Sequence, residues 1–195
     1  MRRITRRGAL SALVAGLIIC AAAAVHGYTL SGYKWYVTPV VIYLNPSNRD
    51  VPKSDAEAAV QTGMNAWNGL ASFAFVYGGR VSDTATAMDG RNVVIFRNAT
   101  NGTAVATTYS WSQNGARFDS DTVFWDGKYH FYAGTSGCSN GAYIEDIAAH
   151  ELGHTTGLKH SSLTDATMYS TYSYCKTTMR TLSADDVAGL QAMYP

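Results

Sequence analysis

A short stretch of the chain contains three histidines and one glutamate at spacings that suit metal chemistry. On a helix, His150 and His154 lie one turn apart on the same face, so their imidazoles can bind one ion. Glu151 lies about 100° round the helix from His150, beside the ion rather than on it. Gly157 can end the helix and let the chain return His160 as a third ligand. Three neutral imidazoles with one open position predict a catalytic zinc site, with Glu151 as the general base.

The alternative explanation of this stretch is a surface helix whose histidines fall there by chance. The pattern through the third histidine fixes five positions. At ordinary residue usage, a chance match in a chain of this length is on the order of one in 100,000. The spacing therefore favours a metal centre, and zinc is the ion that three imidazoles suit.

Two predicted helices form the core around this centre. Ile144, Ala148 and Leu152 form an apolar stripe with helical spacing, which predicts that the metal-binding helix begins at Ile144. An earlier helix is predicted after Pro52, where Ser54 and Glu57 fit a capping box. Its buried face is predicted to contain Ala56, Val60, Met64 and Trp67.

A third helix and five strands complete the predicted elements. Ser183 and Asp186 predict the cap of a last helix, while residues 161–181 show no periodicity and predict a loop. Asn114-Gly115 predicts a turn between two of the strands. The strands are predicted from runs of β-formers at Tyr36–Leu44, Phe73–Tyr77, Asn92–Arg97, Val105–Ser110 and Asp119–Trp125.

Length and charge limit the function classes. The chain has 195 residues and a net charge of +1, which predicts one domain with a substantial core. No basic run lies outside the N-terminus, and this argues against nucleic-acid binding. Because no oligomer signal is present, we expect a monomer.

The N-terminus has the pattern of a targeting segment. Four arginines lie within the first seven residues, and the apolar run from Ala9 to Ala24 is too short to span a bilayer comfortably. We therefore expect a signal peptide at 1–24 and a mature chain at 25–195. The mature chain would be secreted to the extracellular space or periplasm without stable membrane insertion. A secretory signal, a twin-arginine signal, lipidation at Cys20 and an uncleaved anchor remain alternatives.

Two cysteines remain in the mature chain. Cys138 and Cys175 form an even pair in an exported protein, which predicts a disulfide. The alternative is a thiolate that binds the zinc. Two acidic residues, Asp119 and Asp121, alternate along a predicted strand, where calcium binding and a solvated strand face are both open.

The stretch from His150 to His160 resembles the zinc motif of the metzincin metallopeptidases, and its surroundings resemble the matrixin branch. A serine follows the third histidine, and Met168 lies eight residues beyond it in a segment similar to the family's Met-turn. By this resemblance, Tyr172 belongs to the wall of the primary specificity pocket, and Asp186 would help hold the Met-turn. The resemblance covers roughly Tyr33 to the C-terminus. At Ser170 the family usually has proline, which would make the pocket wall looser.

The resemblance implies an α+β fold. We expect a twisted mixed sheet of about five strands with three helices. The zinc cleft would lie between an upper sheet-and-helix subdomain and a small lower C-terminal subdomain. The family's second zinc needs further histidines, but only His26 and His130 remain of five, so we expect one zinc and a loop role for His130.

The function that the resemblance implies is a zinc metalloendopeptidase acting on protein or peptide substrates. Two alternatives stay open at this point. One is a non-catalytic binding or adhesion module on a matrixin scaffold, and the other is a zinc hydrolase acting on a non-peptide bond.

Overall fold

The computed structural model describes residues 26–195, so the predicted signal peptide at 1–24, including Cys20, lies outside the described residues. The described part contains three helices: α1 at Lys53–Asn65, α2 at Ile144–Thr156 and α3 at Ala184–Met193. Two small sheets have two strands each. One pairs β1 (Thr29–Leu30) with β9 (Leu158–Lys159), and the other pairs β7 (Phe131–Tyr132) with β8 (Ala142–Tyr143). The main sheet contains β2 Val40–Asn45, β3 Phe75–Arg80, β4 Asn92–Arg97, β5 Ala106–Gln113 and β6 Ala116–Trp125.

The five main strands lie in the order β3-β2-β4-β6-β5. Neighbouring strands run parallel except for β5, which pairs antiparallel with β6 at one edge of the sheet. The β5–β6 connection is a tight turn in which Asn114 and Gly115 have positive φ angles of 52° and 80°, as expected for an Asn-Gly hairpin. The expected α+β fold, with a five-stranded mixed sheet and three helices, is confirmed.

The core lies between the sheet and the packed pair α1 and α2. All four residues predicted on the inner face of this helix are buried: three lie on α1, and the fourth, Trp67, lies just beyond its end and is fully buried. The Nε1 of Trp67 donates to the carbonyl of Ala149 in α2 at 2.8 Å. A Cβ at Gly63 would lie 2.6 Å from the backbone nitrogen of Ala149. The closeness of the two helices therefore depends on glycine at position 63, and α1 packs against α2, the helix predicted to bind the metal.

Two local predictions are wrong. The strand predicted from Tyr36 begins only at Val40, because Pro39 has no N–H for the ladder. The capping box predicted at the start of α1 is absent, since no side chain caps that helix. Instead, the Glu57 carboxylate accepts hydrogen bonds from Tyr77 and Arg80 on β3.

The C-terminal helix connects both ends of the described chain to the site region. Ser183 and Asp186 form the predicted capping box of α3. The neighbouring Asp185 accepts hydrogen bonds from the backbone of Gly27 at 2.6 Å and from the hydroxyl of Ser161 at 2.6 Å. Among residues 26–195, no helix is both long and apolar enough to cross a membrane.

Candidate metal centre

Three imidazoles converge at the C-terminal end of α2. His150 and His154 lie one turn apart on this helix, and His160 follows the turn that ends it. One ring nitrogen of each histidine lies within 4.8 Å of the others, and the ring centroids are 4.9–5.3 Å apart. Within residues 26–195, this is the one group of three or more His, Cys, Asp or Glu side chains that could hold a metal ion together.

Backbone carbonyls fix the tautomers of two of these histidines. His150 Nδ1 lies 2.7 Å from the Thr167 carbonyl oxygen, and His154 Nδ1 lies 2.9 Å from that of Leu158. A carbonyl oxygen only accepts, so each Nδ1 carries the hydrogen and each Nε2 keeps its lone pair. Burial lowers the pKa of His150 to about 4, and burial with the neighbouring His150 lowers the pKa of His154 to about 4. Both rings are therefore neutral near pH 7, the form that binds a metal.

The turn that leads to His160 depends on Gly157. This residue ends α2 with a φ angle of 118°, in the left-handed region, and its N–H donates to the His154 carbonyl at 3.1 Å. A side chain here would be strained, and its Cβ would lie 2.6 Å from the Tyr33 carbonyl oxygen. The helix therefore ends where the sequence predicts, and the chain turns back towards the other two histidines.

Glu151 lies beside the three imidazoles and is 6% exposed. Its Oε2 accepts a hydrogen bond from the Thr108 hydroxyl on β5 at 2.7 Å, and burial raises the pKa of the carboxyl group. A carboxylate whose pKa is raised by burial takes up a proton more readily than an exposed one, which suits a general base. The sequence did not identify Thr108 as a partner of Glu151, because threonine is common in strands and its presence there indicates no further role.

A buried arginine caps the helix that holds the histidines. Arg117 on β6 is 7% exposed, and its Nη1 donates to the carbonyl oxygens of His154 and Thr155. The Thr155 oxygen also accepts from Trp35 Nε1 at 2.8 Å. The last carbonyls of a helix have no intrahelical partner, and a positive charge at this end is favoured by the helix dipole. The sequence offers no local signal for this contact, since Arg117 is distant along the chain.

Met168 lies under the centre and is fully buried. Asp186 accepts hydrogen bonds from the backbone N–H groups of Thr167 at 2.8 Å and Met168 at 3.0 Å. The Met168 carbonyl accepts from the N–H of Ser161 at 2.8 Å. A Cβ at Gly153 would lie 2.2 Å from the Met168 sulfur. The turn around Met168 therefore contacts α3, the residue after His160 and the helix α2.

An open cleft of about 510 Å³ borders the centre and is lined by His150, Glu151, His160 and Tyr172. The Tyr172 hydroxyl accepts a hydrogen bond from the Tyr143 backbone N–H at 3.3 Å. Burial raises the pKa of Tyr172 to about 12, so the phenol stays protonated and neutral. The wall that contains Tyr172 is therefore attached to the residue that precedes α2.

A disulfide and an ion pair also restrain the wall of the cleft that contains Tyr172. Cys138 and Cys175 form a disulfide with sulfurs 2.05 Å apart, so neither thiol is available to bind a metal. Asp146 on α2 accepts from the Met179 N–H and the Arg180 Nε, both at 2.8 Å. These contacts connect the loop after Met168 to the first turns of α2 and the loop before it.

Other predicted residues lie away from the centre. Asp119 and Asp121 are buried, so of the two alternatives that the sequence left open for them, the solvated strand face is wrong. Three of their four carboxylate oxygens accept backbone N–H groups from residues 87, 89, 90 and 93, which covers this end of the sheet. His130 lies in a loop, with its Nδ1 2.6 Å from Asp50 Oδ1.

The donor set at the end of α2 fits zinc. It offers three imidazole nitrogens, which suit this ion, and a nearby carboxylate that is not one of the ring donors. The cleft gives access from solvent on the same side. Such an arrangement can activate a water molecule for hydrolysis of a bound substrate.

Comparison with known proteins gives the same family throughout. The matrixin family model matches residues 34–195. Macrophage metalloelastase of Oryctolagus cuniculus is 28% identical over 173 residues, and stromelysin-1 of Equus caballus is 30% identical over 167; each alignment covers 83% of this chain and 33% of the relative. Karilysin of Tannerella forsythia is 25% identical over 186 residues, 87% of this chain and 35% of the relative. The chain spans about a third of the length of these curated relatives. By the match of the family model to most of its length, the chain belongs to the matrixin family of zinc metalloendopeptidases.

Proposed function

We propose that this chain is a secreted zinc-dependent endopeptidase that hydrolyses peptide bonds in proteins. His150, His154 and His160 would hold the zinc, and Glu151 would be the general base. Residues 25–195 would form the catalytic domain behind a signal peptide at 1–24. The observation that supports this proposal most is the Glu151 carboxylate beside three imidazoles at an open cleft. The disulfide fits an oxidising compartment outside the cytosol.

The residues divide the chemistry between them. A bound zinc ion lowers the pKa of a water ligand to about 7 and polarises a carbonyl group. Glu151 accepts the proton of the attacking water at its carboxylate and donates it to the leaving amine. Thr108 holds Oε2 through its hydroxyl, which orients the carboxylate and leaves Oε1 for the proton. The low exposure of Glu151 keeps bulk water from competing for that proton.

Substrate binding is assigned to the two sides of the cleft. Tyr172 and Ser170 line the wall, and we propose that an apolar side chain just after the cut lies against it. The opposite side leads to β5, whose free edge can pair with an extended peptide. The proposal includes no calcium ion at Asp119 and Asp121, because backbone N–H groups already use three of their four oxygens.

A peptide-library experiment tests the proposal. The signal-free protein is incubated with a mixed peptide library, with and without a zinc chelator, and the products are identified by mass. We expect internal cuts that the chelator abolishes and added zinc restores. Absence of any chelator-sensitive cut would leave the non-catalytic binding module as the better explanation of the three converging histidines.

A further inference from the structure

Two tyrosine rings meet at one end of the cleft. Tyr129 and Tyr174 both line it, and their ring centroids lie 6.3 Å apart with an interplanar angle of 59°. Tyr129 belongs to the segment 126–141 between β6 and β8, whereas Tyr174 continues the wall that contains Tyr172. Tyr174 is 55% exposed, so burial in the core does not explain its position. The pair therefore presents aromatic surface to whatever occupies this end of the cleft.

This end of the cleft lies away from the candidate centre. The Tyr129 hydroxyl donates to the carbonyl oxygen of Thr103 at 2.6 Å, whereas Thr108, five positions later, contacts the carboxylate beside the three imidazoles. At roughly 3.4 Å per residue, five positions span at most about 17 Å. On the other side of the cleft, Tyr174 lies two positions beyond Tyr172. Both sides therefore lead from the centre to the tyrosine pair.

The disulfide joins the two segments that contain these rings. Cys175 directly follows Tyr174 and is bonded to Cys138, which belongs to the segment 126–141. The N–H of Cys175 also donates to the carbonyl oxygen of Gly141 at 2.9 Å. A ring pair that is already held in place loses little conformational entropy when a ligand binds. The pair is therefore restrained before any substrate arrives, as a specificity site requires.

The chemistry of the pair favours an uncharged ring as its ligand. A third ring can pack edge to face or offset on the first two, and each such contact strengthens binding by about two- to tenfold. A cation is a poorer ligand, because Lys128 already places its ammonium over the Tyr129 ring, 5.3 Å from the centroid. A second positive charge there would be repelled. The site therefore suits an aromatic side chain better than a basic one.

We propose that Tyr129 and Tyr174 form a second specificity site, which binds an aromatic side chain at the third residue after the cut. In the proposed function, the first residue after the cut lies against the wall that contains Tyr172. Alternate side chains of an extended peptide point to the same side, and Tyr172 and Tyr174 are likewise two positions apart. The third residue after the cut therefore reaches the pair. The inference rests on the proposed function and specifies which substrates the same cleft prefers.

Three fluorogenic peptides test this site. They have the same residues around the cut and differ only at the third residue after it, which is phenylalanine, alanine or lysine. We expect the native enzyme to cleave the phenylalanine peptide with a kcat/KM about three- to tenfold higher than the alanine peptide, and the lysine peptide no faster than the alanine peptide. Tyr174→Ala should cleave the phenylalanine and alanine peptides equally. Tyr174→Phe should keep the preference, because it retains the ring.

Further variants separate recognition by the rings from effects on folding. Tyr36→Ala removes a tyrosine that is 68% exposed and lies outside the cleft, and it should leave the ratio of the phenylalanine and alanine rates unchanged. Tyr129→Ala removes the other ring and should abolish the same preference. The proposal would be overturned by equal cleavage of these two peptides by the native enzyme, by faster cleavage of the lysine peptide, or by a preference that survives Tyr174→Ala.

A binding measurement keeps this inference separate from the proposed function. Fluorescence anisotropy compares the phenylalanine and alanine peptides on the Glu151→Gln variant, which is not required to turn over, and on the same variant with Tyr174→Ala added. If the native enzyme cleaves none of the peptides, the proposed function fails. Tighter binding of the phenylalanine peptide that Tyr174→Ala removes would still support the aromatic site. Equal binding of the two peptides to Glu151→Gln rejects the aromatic site whatever the activity.

Discussion

Replacement of Arg117 tests how the end of α2 is held. In the variant Arg117→Met, a buried cation and its bonds to two helix carbonyls are lost. The Thr155 oxygen keeps the hydrogen bond of Trp35, but the His154 oxygen loses the charged donor. A hydrogen bond to a charged group contributes about 1.5–3 kcal/mol, and a cation at a helix C-terminus contributes up to about 2 kcal/mol. Relief of the desolvated charge offsets part of this loss, so we expect destabilisation of about 2–4 kcal/mol.

Urea unfolding of the zinc-free protein measures this effect. Arg97→Met, an exposed arginine at the end of β4, is the matched control and should change stability by less than about 0.5 kcal/mol. Zinc affinity should also fall in Arg117→Met, because the backbone carbonyl of His154, one of the three proposed ligands, loses a hydrogen-bond donor. An unchanged or higher stability would refute the reasoning, since it would mean that the cost of burying the cation exceeds the benefit of capping the helix.

Three further predictions concern the same region. Gly153→Ala should lose about 1–3 kcal/mol in urea unfolding, because its Cβ would overlap the Met168 sulfur; native stability would contradict this packing. In the zinc-free protein, stability should fall as the pH decreases from about 6.5 to 4, because the two α2 histidines have pKa values of about 4 when folded and the unfolded chain takes up protons first. Each contributes at most about 3 kcal/mol, and a flat pH profile of unfolding would be inconsistent with neutral burial. Replacing the disulfide, with Cys138→Ser and Cys175→Ser together, should cost about 3–4 kcal/mol in the chain-entropy model; calorimetry with no shift in Tm would show that the loop is restrained by other contacts alone.

The sequence predicted those features that depend on local spacing. The α2 helix begins at Ile144 and its C-cap is Gly157, as predicted. Both predictions succeed because the apolar stripe and the glycine that ends the helix lie within one short segment of the sequence. The capping box of α3 is also local, and it forms at Ser183. By contrast, the pattern at Glu57 matched a capping box equally well, but its carboxylate accepts hydrogen bonds from Arg80 and Tyr77 on β3 instead. Such a tertiary partner outweighs a local cap and cannot be inferred from spacing.

The residues that support the candidate centre show the same limit. Thr108 and Arg117 lie 43 and 37 positions from their partners in α2. Their contacts exist only because β5 and β6 pair beside the helix, and a single sequence does not specify that pairing. Asp119 and Asp121 illustrate the reverse error. Alternation along a strand left calcium binding and a solvated face both open, whereas backbone N–H groups from the preceding loop and from β4 bind their carboxylates and bury them.

The most direct test of the central claim is a paired measurement on the Glu151→Gln variant. Its zinc content is determined by mass spectrometry, and its hydrolysis of a peptide identified in the library is compared with that of the native enzyme. The proposed role of Glu151 as a base outside the ligand set predicts one zinc per chain and a kcat lower by about 100- to 10,000-fold. Retained hydrolysis, or loss of the zinc, would contradict this assignment.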